Sequence, residues 1–317
     1  MYTIACDFGG TNIKIGIMSE GRLVKKRYIK AYSEKGIGYQ LNNVVLVIKA
    51  LLLDLNIEVK NCIGIGIAMP GIVDFKNNKV ISINDKYSDS LVFDFEKWAK
   101  DNFVLPLIMD NDANLALIGE VKSGCARGYD NAVLLTLGTG IGTSTVIDGN
   151  LLRGKHYQAG CLGGHFVINV NGRKCNCGNL GCAEAEAGSW ALPFYCRDQK
   201  EYAESMLSKV NIIDVKSIIE CMDKGDNFSI NTFNYLIDNW SAVAINLIHA
   251  YDPEVIIFSG GILKAKDKIL IKVSEIIHKR AWTPWGKVKI LLAEDPDISV
   301  LLGLDYLLRE MENNAKI

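Results

Sequence analysis

No stretch of this chain reaches the ~18–20 uninterrupted apolar residues of a membrane span. The opening MYTIACDFGGTNIKIGIM has no basic segment followed by a long apolar run. No secretory leader is expected, and the cytoplasm is the expected compartment. Lysine and arginine number 35 against 36 aspartates and glutamates, a net charge of −1. That leaves no basic field for nucleic acid and no acidic tail. No low-complexity linker divides the chain. In a reducing compartment the nine cysteines are expected as thiols. Cys6, Cys62, Cys125, Cys196 and Cys221, scattered singly among apolar residues, are expected as small buried hydrophobes.

What is present is a soluble α/β pattern. Apolar residues make up 49% and charged residues 22% of 317 residues, more chain than a single core of ~250–300 residues usually holds. Residues 2–7 and 13–18 read as strands around "GGT", and 20–30 adds a turn and a third strand. A helical period runs over 39–55. A buried strand at 62–69 ends at Pro70-Gly71, and a strand at 104–110 leads into a helix at 113–124. The order then recurs. Residues 131–149 read strand, glycine turn, strand; 189–250 is mostly helical; 255–262 is strand then turn. Helix 266–280, strand 287–294 and helix 299–312 follow. The domain boundary is expected near the 113–124 helix, with the last helix returning to the first half.

Three turns place glycine after a hydrophobic strand: Asp7-Phe8-Gly9-Gly10-Thr11, Gly138-Thr139-Gly140-Ile141-Gly142 and Ser259-Gly260-Gly261. Such turns let backbone N–H groups approach a phosphate, and an aspartate at a strand end could hold Mg²⁺ through water. One glycine turn alone is ordinary hairpin geometry; three in this order point to a nucleotide. They make no P-loop, since the nearest match, Gly149 to His156, ends in His where Ser or Thr should hold the metal. They make no Rossmann fingerprint either, because the first turn leads into a strand. The run Asp110-Asn111-Asp112-Ala113-Asn114 sits where a strand ends and a helix starts. One of these residues suffices as an N-cap. A carboxylate there could take the proton of a hydroxyl attacking a phosphoryl group.

The segment GGHFVINVNGRKCNCGNLGCAE, Gly163 to Glu184, holds Cys175, Cys177 and Cys182 and one of only four histidines, His165. A disulfide knot, a redox pair and a metal site are the alternatives. Neighbouring C-x-C side chains diverge and do not close an unstrained disulfide, and a redox pair would read C-x-x-C. Three Cys and one His in a tight run suit tetrahedral zinc, structural because no position stays open for water.

These pieces, DFGGTNIKIGI, AMPGIVD, DNDANLALIGE, LTLGTGIG with VIDGNLLRG, the His with CNCGNLGCAE, and FSGGI, resemble the ROK proteins in their order and over essentially the whole chain. That family comprises sugar kinases, sugar-responsive repressors and related proteins. The resemblance implies two RNase H-like α/β domains of the hexokinase/actin-like fold with an interdomain cleft. They would span 1–118, with helix 303–317 packing back, and 119–302, with the zinc-pinned loop 163–184. It implies ATP, Mg²⁺ and structural Zn²⁺, and transfer of the γ-phosphoryl to a hydroxyl, usually O6, of a hexose or hexose derivative. Asp112 matches the general base. Gly71, Asn84, Asn111, His165 and Glu184 match sugar contacts, His165 also matching a zinc ligand with Cys175, Cys177 and Cys182. Asp7, Gly9, Gly10 and Thr11 match the first phosphate turn; Gly138, Thr139 and Gly140 the second; Gly260 and Gly261 the nucleotide-side turn. A homodimer follows from the resemblance alone. The alternative is a sugar-binding regulator without kinase activity. Repressors of the family carry a helix-turn-helix ahead of the first strand; with Asp7 six residues from the first methionine, none is expected here. Two departures stand out. Many such kinases read A-G-E-x-G-H, but here Ala159-Gly160-Cys161-Leu162-Gly163-Gly164-His165 has no Glu and one extra residue. Thr143 stands where glycine is usual.

Overall fold

The computed structural model describes residues 1–83 and 86–315. In chain order come β1 (Tyr2–Phe8), β2 (Asn12–Ser19), β3 (Arg22–Lys30), α1 (Ile37–Asp54), β4 (Cys62–Met69), β5 (Ile72–Asp74), β6 (Lys79–Ser82), α2 (Phe95–Phe103), β7 (Leu107–Asn111) and α3 (Asp112–Lys122). Next are β8 (Ala132–Leu137), β9 (Ile141–Ile147), β10 (Asn150–Leu151), α4 (Ala183–Ala187), α5 (Leu192–Asp198), α6 (Val215–Met222) and α7 (Asn227–Tyr251). The chain closes with β11 (Val255–Ser259), α8 (Lys266–Arg280), β12 (Lys289–Leu292) and α9 (Pro296–Asn314). Two compact units form: Met1–Gly128 with Leu151–Ala159 and Ala293–Ile317, and Tyr129–Asn150 with Gly160–Leu292.

The first unit is built on a five-stranded sheet in the order β3-β2-β1-β4-β7. The β1–β2–β3 pairs are antiparallel and β1–β4–β7 parallel. The strand CIGIGIAM is buried at every residue, as a central parallel strand covered on both faces must be. On one face α1 and α2 bury Ile4, Cys6 and Phe8 among Leu41, Val44, Ile48 and Trp98. By length and composition α1 could cross a membrane, but its apolar side is spent on this core. On the other face lies α9. The Thr3 hydroxyl donates to the buried Asp305 carboxylate, and Leu304 reaches the sheet over Gly66, where a Cβ would sit 2.8 Å from its Cδ2.

The unit runs on to Gly128, past the expected 118, because α3 is one helix to Lys122 and packs on α9. The two approach backbone to backbone. A Cβ on Gly303 would lie 2.8 Å from the Leu115 carbonyl carbon, and one on Gly119 2.9 Å from that of Ser299. The Ser299 hydroxyl donates to the buried Glu120. The last helix starts at Pro296, earlier than the expected 303 and 299, where Asp295 caps it by accepting from the Asp297 N–H at 3.0 Å. Leu151–Ala159, expected in the second domain, joins the first unit.

The second unit repeats the topology strand for strand, in the order β10-β9-β8-β11-β12. Again an antiparallel meander precedes two parallel strands. Val133, Leu135, Ile256 and Phe258 pack with Leu236, Trp240 and Val243 of α7. Two RNase H-like α/β domains are what the resemblance implied.

The α3–α9 approach yields a prediction. Gly303→Val places a branched side chain where backbone already sits. Overpacking of this kind costs about 1–3 kcal/mol, against a helix-propensity gain of only a few tenths. Urea denaturation is expected to show that loss.

Candidate functional site

The parallel strands of the first unit end side by side. Asp7 pairs in register with Ala68, and Ala68 with Asp110. The Gly9-Gly10-Thr11 turn, the Pro70-Gly71 turn and the Asp110–Asn114 run therefore leave one edge, the carboxyl edge where open α/β sheets bind ligands. Asp7 also stands opposite Lys14 across the hairpin, and the Lys14 ammonium reaches its Oδ2 at 3.1 Å. Burial pushes the Asp7 carboxyl up, with Lys14 opposing.

Asp112 is the first residue of α3 and Asn111 is its N-cap. The Asn111 Oδ1 accepts from the N–H groups of Ala113 at 2.9 Å and Asn114 at 3.2 Å, and its Nδ2 donates to the Gly71 carbonyl at 2.8 Å. The cap and the sheet-edge turn thus share one side chain. Asp112 accepts from the Ala113 N–H at 2.8 Å. Its carboxyl is pushed up to about 6, first by burial and then by the Asp7 carboxylate. Asn84, matched to a sugar contact, lies outside the described residues.

Sequence reasoning passed over Asp110 and Arg153. Asp110 is 1% exposed. It accepts from the Asn111 N–H at 2.7 Å and the Asn114 Nδ2 at 3.0 Å, and it pairs with the Arg153 guanidinium. That guanidinium lies over the Phe75 ring, 4.1 Å from its centroid. Four residues on, Tyr157 hydrogen-bonds Asp74. The Leu151–Ala159 strap is fastened to the first unit at both points. The available signal was the L-R-G of the failed P-loop match.

In the second unit β8 and β11 are parallel neighbours, Ser259 opposite Thr136. The Gly138-Thr139-Gly140 and Gly260-Gly261 turns therefore follow adjacent strand ends, and Gly260 (φ 98°) rests on the Leu137 backbone. The first of these turns is held from outside. The N–H groups of Ser189 and Trp190 donate to the Gly138 and Thr139 carbonyls at 3.2 and 3.1 Å. Glu184 accepts from the Ile141 N–H at 2.9 Å and the Trp190 indole at 3.2 Å. Glu184, matched in sequence to a sugar hydroxyl, is thus also the tie of the second glycine turn.

His165, Cys175, Cys177 and Cys182 gather with one donor atom each within 4.8 Å of one another. The His165 Nδ1 is 3.6 Å from the Cys175 Sγ, and Cys177 and Cys182 are 3.6 Å apart. An ion with Zn–S of about 2.3 Å and Zn–N of about 2.0 Å spaces tetrahedral donors about 3.5–3.8 Å apart, so the residues fit zinc. No disulfide joins them. The chain turns between the ligands at Gly178 (φ 93°), with the Gly178 N–H on the Cys175 carbonyl at 2.9 Å. Cys182 N-caps α4, which carries Glu184. The cluster thus adjoins the helix whose Glu184 bonds the second glycine turn.

The stretch without the expected glutamate is also anchored. The Thr143 hydroxyl, fully buried, donates to the Gly160 carbonyl at 2.7 Å and accepts from the Gly163 N–H at 2.8 Å.

Replacing one partner of a buried pair strands the other charge, at about 3–5 kcal/mol. Arg153→Met is expected to lose that much in chemical denaturation. Adding Asp110→Asn is expected to recover part of it, the coupling a double-mutant cycle reads.

Three comparisons bear on this geometry. The glucokinase of Halalkalibacterium halodurans is 30% identical over 99% of this chain and 97% of its own length. A ROK family glucokinase from Streptomyces griseus, solved with glucose and AMPPNP, superposes with a TM-score of 0.76 at 27% identity, covering 98% of this chain and all of that one. The xylose repressor of Bacillus spizizenii is 28% identical over 73% of this chain and 56% of its own. Residues 3–311 match the sequence model described as the ROK family, and with two RNase H-like units, three glycine turns and a His–Cys₃ cluster, the chain belongs to that family.

Proposed function

We propose that the protein is an ATP-dependent sugar kinase, moving the γ-phosphoryl of ATP to a hydroxyl, most simply O6, of a hexose or hexose derivative. The observation that carries the reading is Asp112. It is a carboxylate at the carboxyl edge of the sheet, on the same edge as the first glycine turn, with its proton affinity raised to about 6. Such a group accepts a proton from an attacking hydroxyl near neutral pH. Asn111, fixed by Gly71 and the helix cap, holds the backbone on which Asp112 sits. Gly71 and Asn111 are the sugar-side contacts of the first unit, with Asn84 proposed beside them from the sequence match. His165 turns its Nδ1 to the thiols, which leaves Nε2 as the proton-bearing nitrogen for a sugar hydroxyl. Glu184 is the second such contact. Bound Mg²⁺ supplies charge neutralisation on the phosphates. Asp7, Gly9, Gly10 and Thr11, then Gly138, Thr139 and Gly140, then Gly260 and Gly261 cradle the nucleotide. Zinc on His165, Cys175, Cys177 and Cys182 is structural. The absent glutamate before His165 points to a sugar that differs from plain glucose, since a lost hydrogen-bond partner shifts which hydroxyl pattern is accepted.

The repressor likeness favours a second reading, a sugar-responsive regulator. A panel of hexoses and their N-acetyl, epimeric and glycosylated derivatives, assayed for ADP release with Mg·ATP, separates the two. Turnover on one class supports the kinase. Sugar binding without ADP release supports the regulator and ends the kinase reading.

The site sets further expected outcomes. Asp112→Asn should lower kcat about 10²–10⁴-fold. In the unchanged enzyme kcat/KM should fall tenfold per pH unit below about 6, where Asp112 becomes protonated. The same shift acts on stability. The folded proton affinity exceeds the unfolded one, so ionisation opposes folding; the opposition is absent below about pH 4 and complete above about pH 6. The Asp112→Asn variant is therefore expected to melt higher than the parent at pH 8 and alike at pH 4. Metal analysis of chelator-free protein should find one zinc per chain, and Cys182→Ser should lose both the zinc and thermal stability.

A further inference from the structure

The first glycine turn has a neighbour that no motif announces. A Cβ built on Gly10 would collide with the ammonium of Lys86. The Lys86 side chain therefore lies against Gly10, where no side chain keeps it off. The residues that follow it are fixed. The buried Tyr87 donates its hydroxyl to the Gly9 carbonyl at 3.2 Å and sets its ring edge-on to Phe8 at 5.8 Å. Tyr87 holds a left-handed backbone, φ 53°, to do so, a conformation a bulky residue keeps only where its surroundings require it. Two residues later Asp89 accepts from the Ile37 N–H, the start of α1, at 2.8 Å.

The charge around the turn is unevenly committed. Lys14, 9% exposed, is engaged by Asp7 at 3.1 Å and by Asp297 at 3.7 Å. With Asp112 near enough for the Asp7 charge to raise its proton affinity, the protein side of the turn is acidic. Lys86 is half-buried, and among the described residues no carboxylate lies within 4.0 Å of its ammonium. An ammonium over a bare glycine turn, with no carboxylate partner among the described residues and on the edge that carries Asp7 and Asp112, is suited to a dense anion that must approach that edge.

We propose that Lys86 binds the terminal phosphate of the nucleoside triphosphate at the first glycine turn. The inference rests on the kinase reading. In it the phosphoryl group nearest Asp112 is the one transferred, and that is the group the triphosphate has and the diphosphate has not. Lys86 neutralises charge on that group and holds it at the edge that carries Asp112. Gly10 has to be glycine because the ammonium and the phosphate meet there.

Calorimetric titration of the full chain with Mg·AMPPNP and with Mg·ADP tests this. Lys86→Met is expected to weaken AMPPNP about 10- to 100-fold, the worth of a charge-assisted hydrogen bond, and to leave ADP within about twofold. Lys86→Arg, which keeps the charge, is expected to retain most of the AMPPNP affinity, and the exposed-lysine control Lys76→Met all of it. Unaltered AMPPNP binding by Lys86→Met overturns the inference, and so does equal weakening of both nucleotides. A parent protein that binds neither nucleotide removes the kinase reading itself, and the assignment with it. That result is visible before any variant is made. Unaltered binding in the variant, with a parent that binds, removes the lysine alone.

Discussion

A buried carboxylate sets the constraint from which the rest of the first unit follows. Asp110 ends a parallel strand at 1% exposure, where an unpaired charge would not be tolerated. Three donors answer it, and each fixes a different piece of structure. The Asn111 N–H shapes the exit from β7, the Asn114 amide ties the first turn of α3, and Arg153 brings in the Leu151–Ala159 strap. Asp112 is carried between the first two of these. Its place is thus a consequence of satisfying Asp110. The same logic explains why Arg is the cation: a planar guanidinium pairs with the carboxylate and lies flat on Phe75, which a lysine could not do in one geometry.

The two units share a strand order but buttress their glycine turns differently. In the first, the support comes from the hairpin itself and from a distant loop: Lys14 across the register from Asp7, and Tyr87 on Gly9. In the second, it comes from the segment after the metal cluster, through Glu184, Ser189 and Trp190. A turn held by a short helix needs that helix fixed, and α4, with five residues, is too short to be stable by itself. Its N-cap, Cys182, belongs to the His–Cys₃ cluster, and zinc bound there, as proposed, would supply what its length does not.

How much of this could be read from the chain depends on range. The strand 62–69 and helix 266–280 coincide with β4 and α8, because long apolar or 3.6-period runs carry their own signal. The α2 helix, nine residues behind the Asp94 cap, and the three-residue β5 are too short for a period to show. Within the site the same division holds. The glycine turns, the Asp110–Asn114 run and the cysteine spacing are local patterns. Arg153 meets Asp110 across 43 residues and Lys86 meets Gly10 from a distant loop. Only the folded sheet edge brings these together. Glu184 shows the intermediate case: its position next to the cluster was legible, but not its bond to Ile141.

The two departures from the family pattern belong to one piece of structure. Thr143 stands where glycine is usual, and it spends its hydroxyl on both ends of Gly160–Gly163, the stretch in which the glutamate is missing and a residue is gained. Glycine at 143 would leave the Gly160 carbonyl without that donor and the Gly163 N–H without that acceptor, and buried backbone groups do not go unpaired without loss. An inserted residue lengthens the path into His165, whose Nδ1 lies 3.6 Å from the Cys175 Sγ. A longer loop between a fixed strand and a fixed ligand has to be fastened somewhere along its length, and Thr143 is where this chain fastens it. The change in the loop and the change in the strand are thus physically coupled, and the face that this loop presents beside His165 differs in shape as well as in charge from one built around a glutamate.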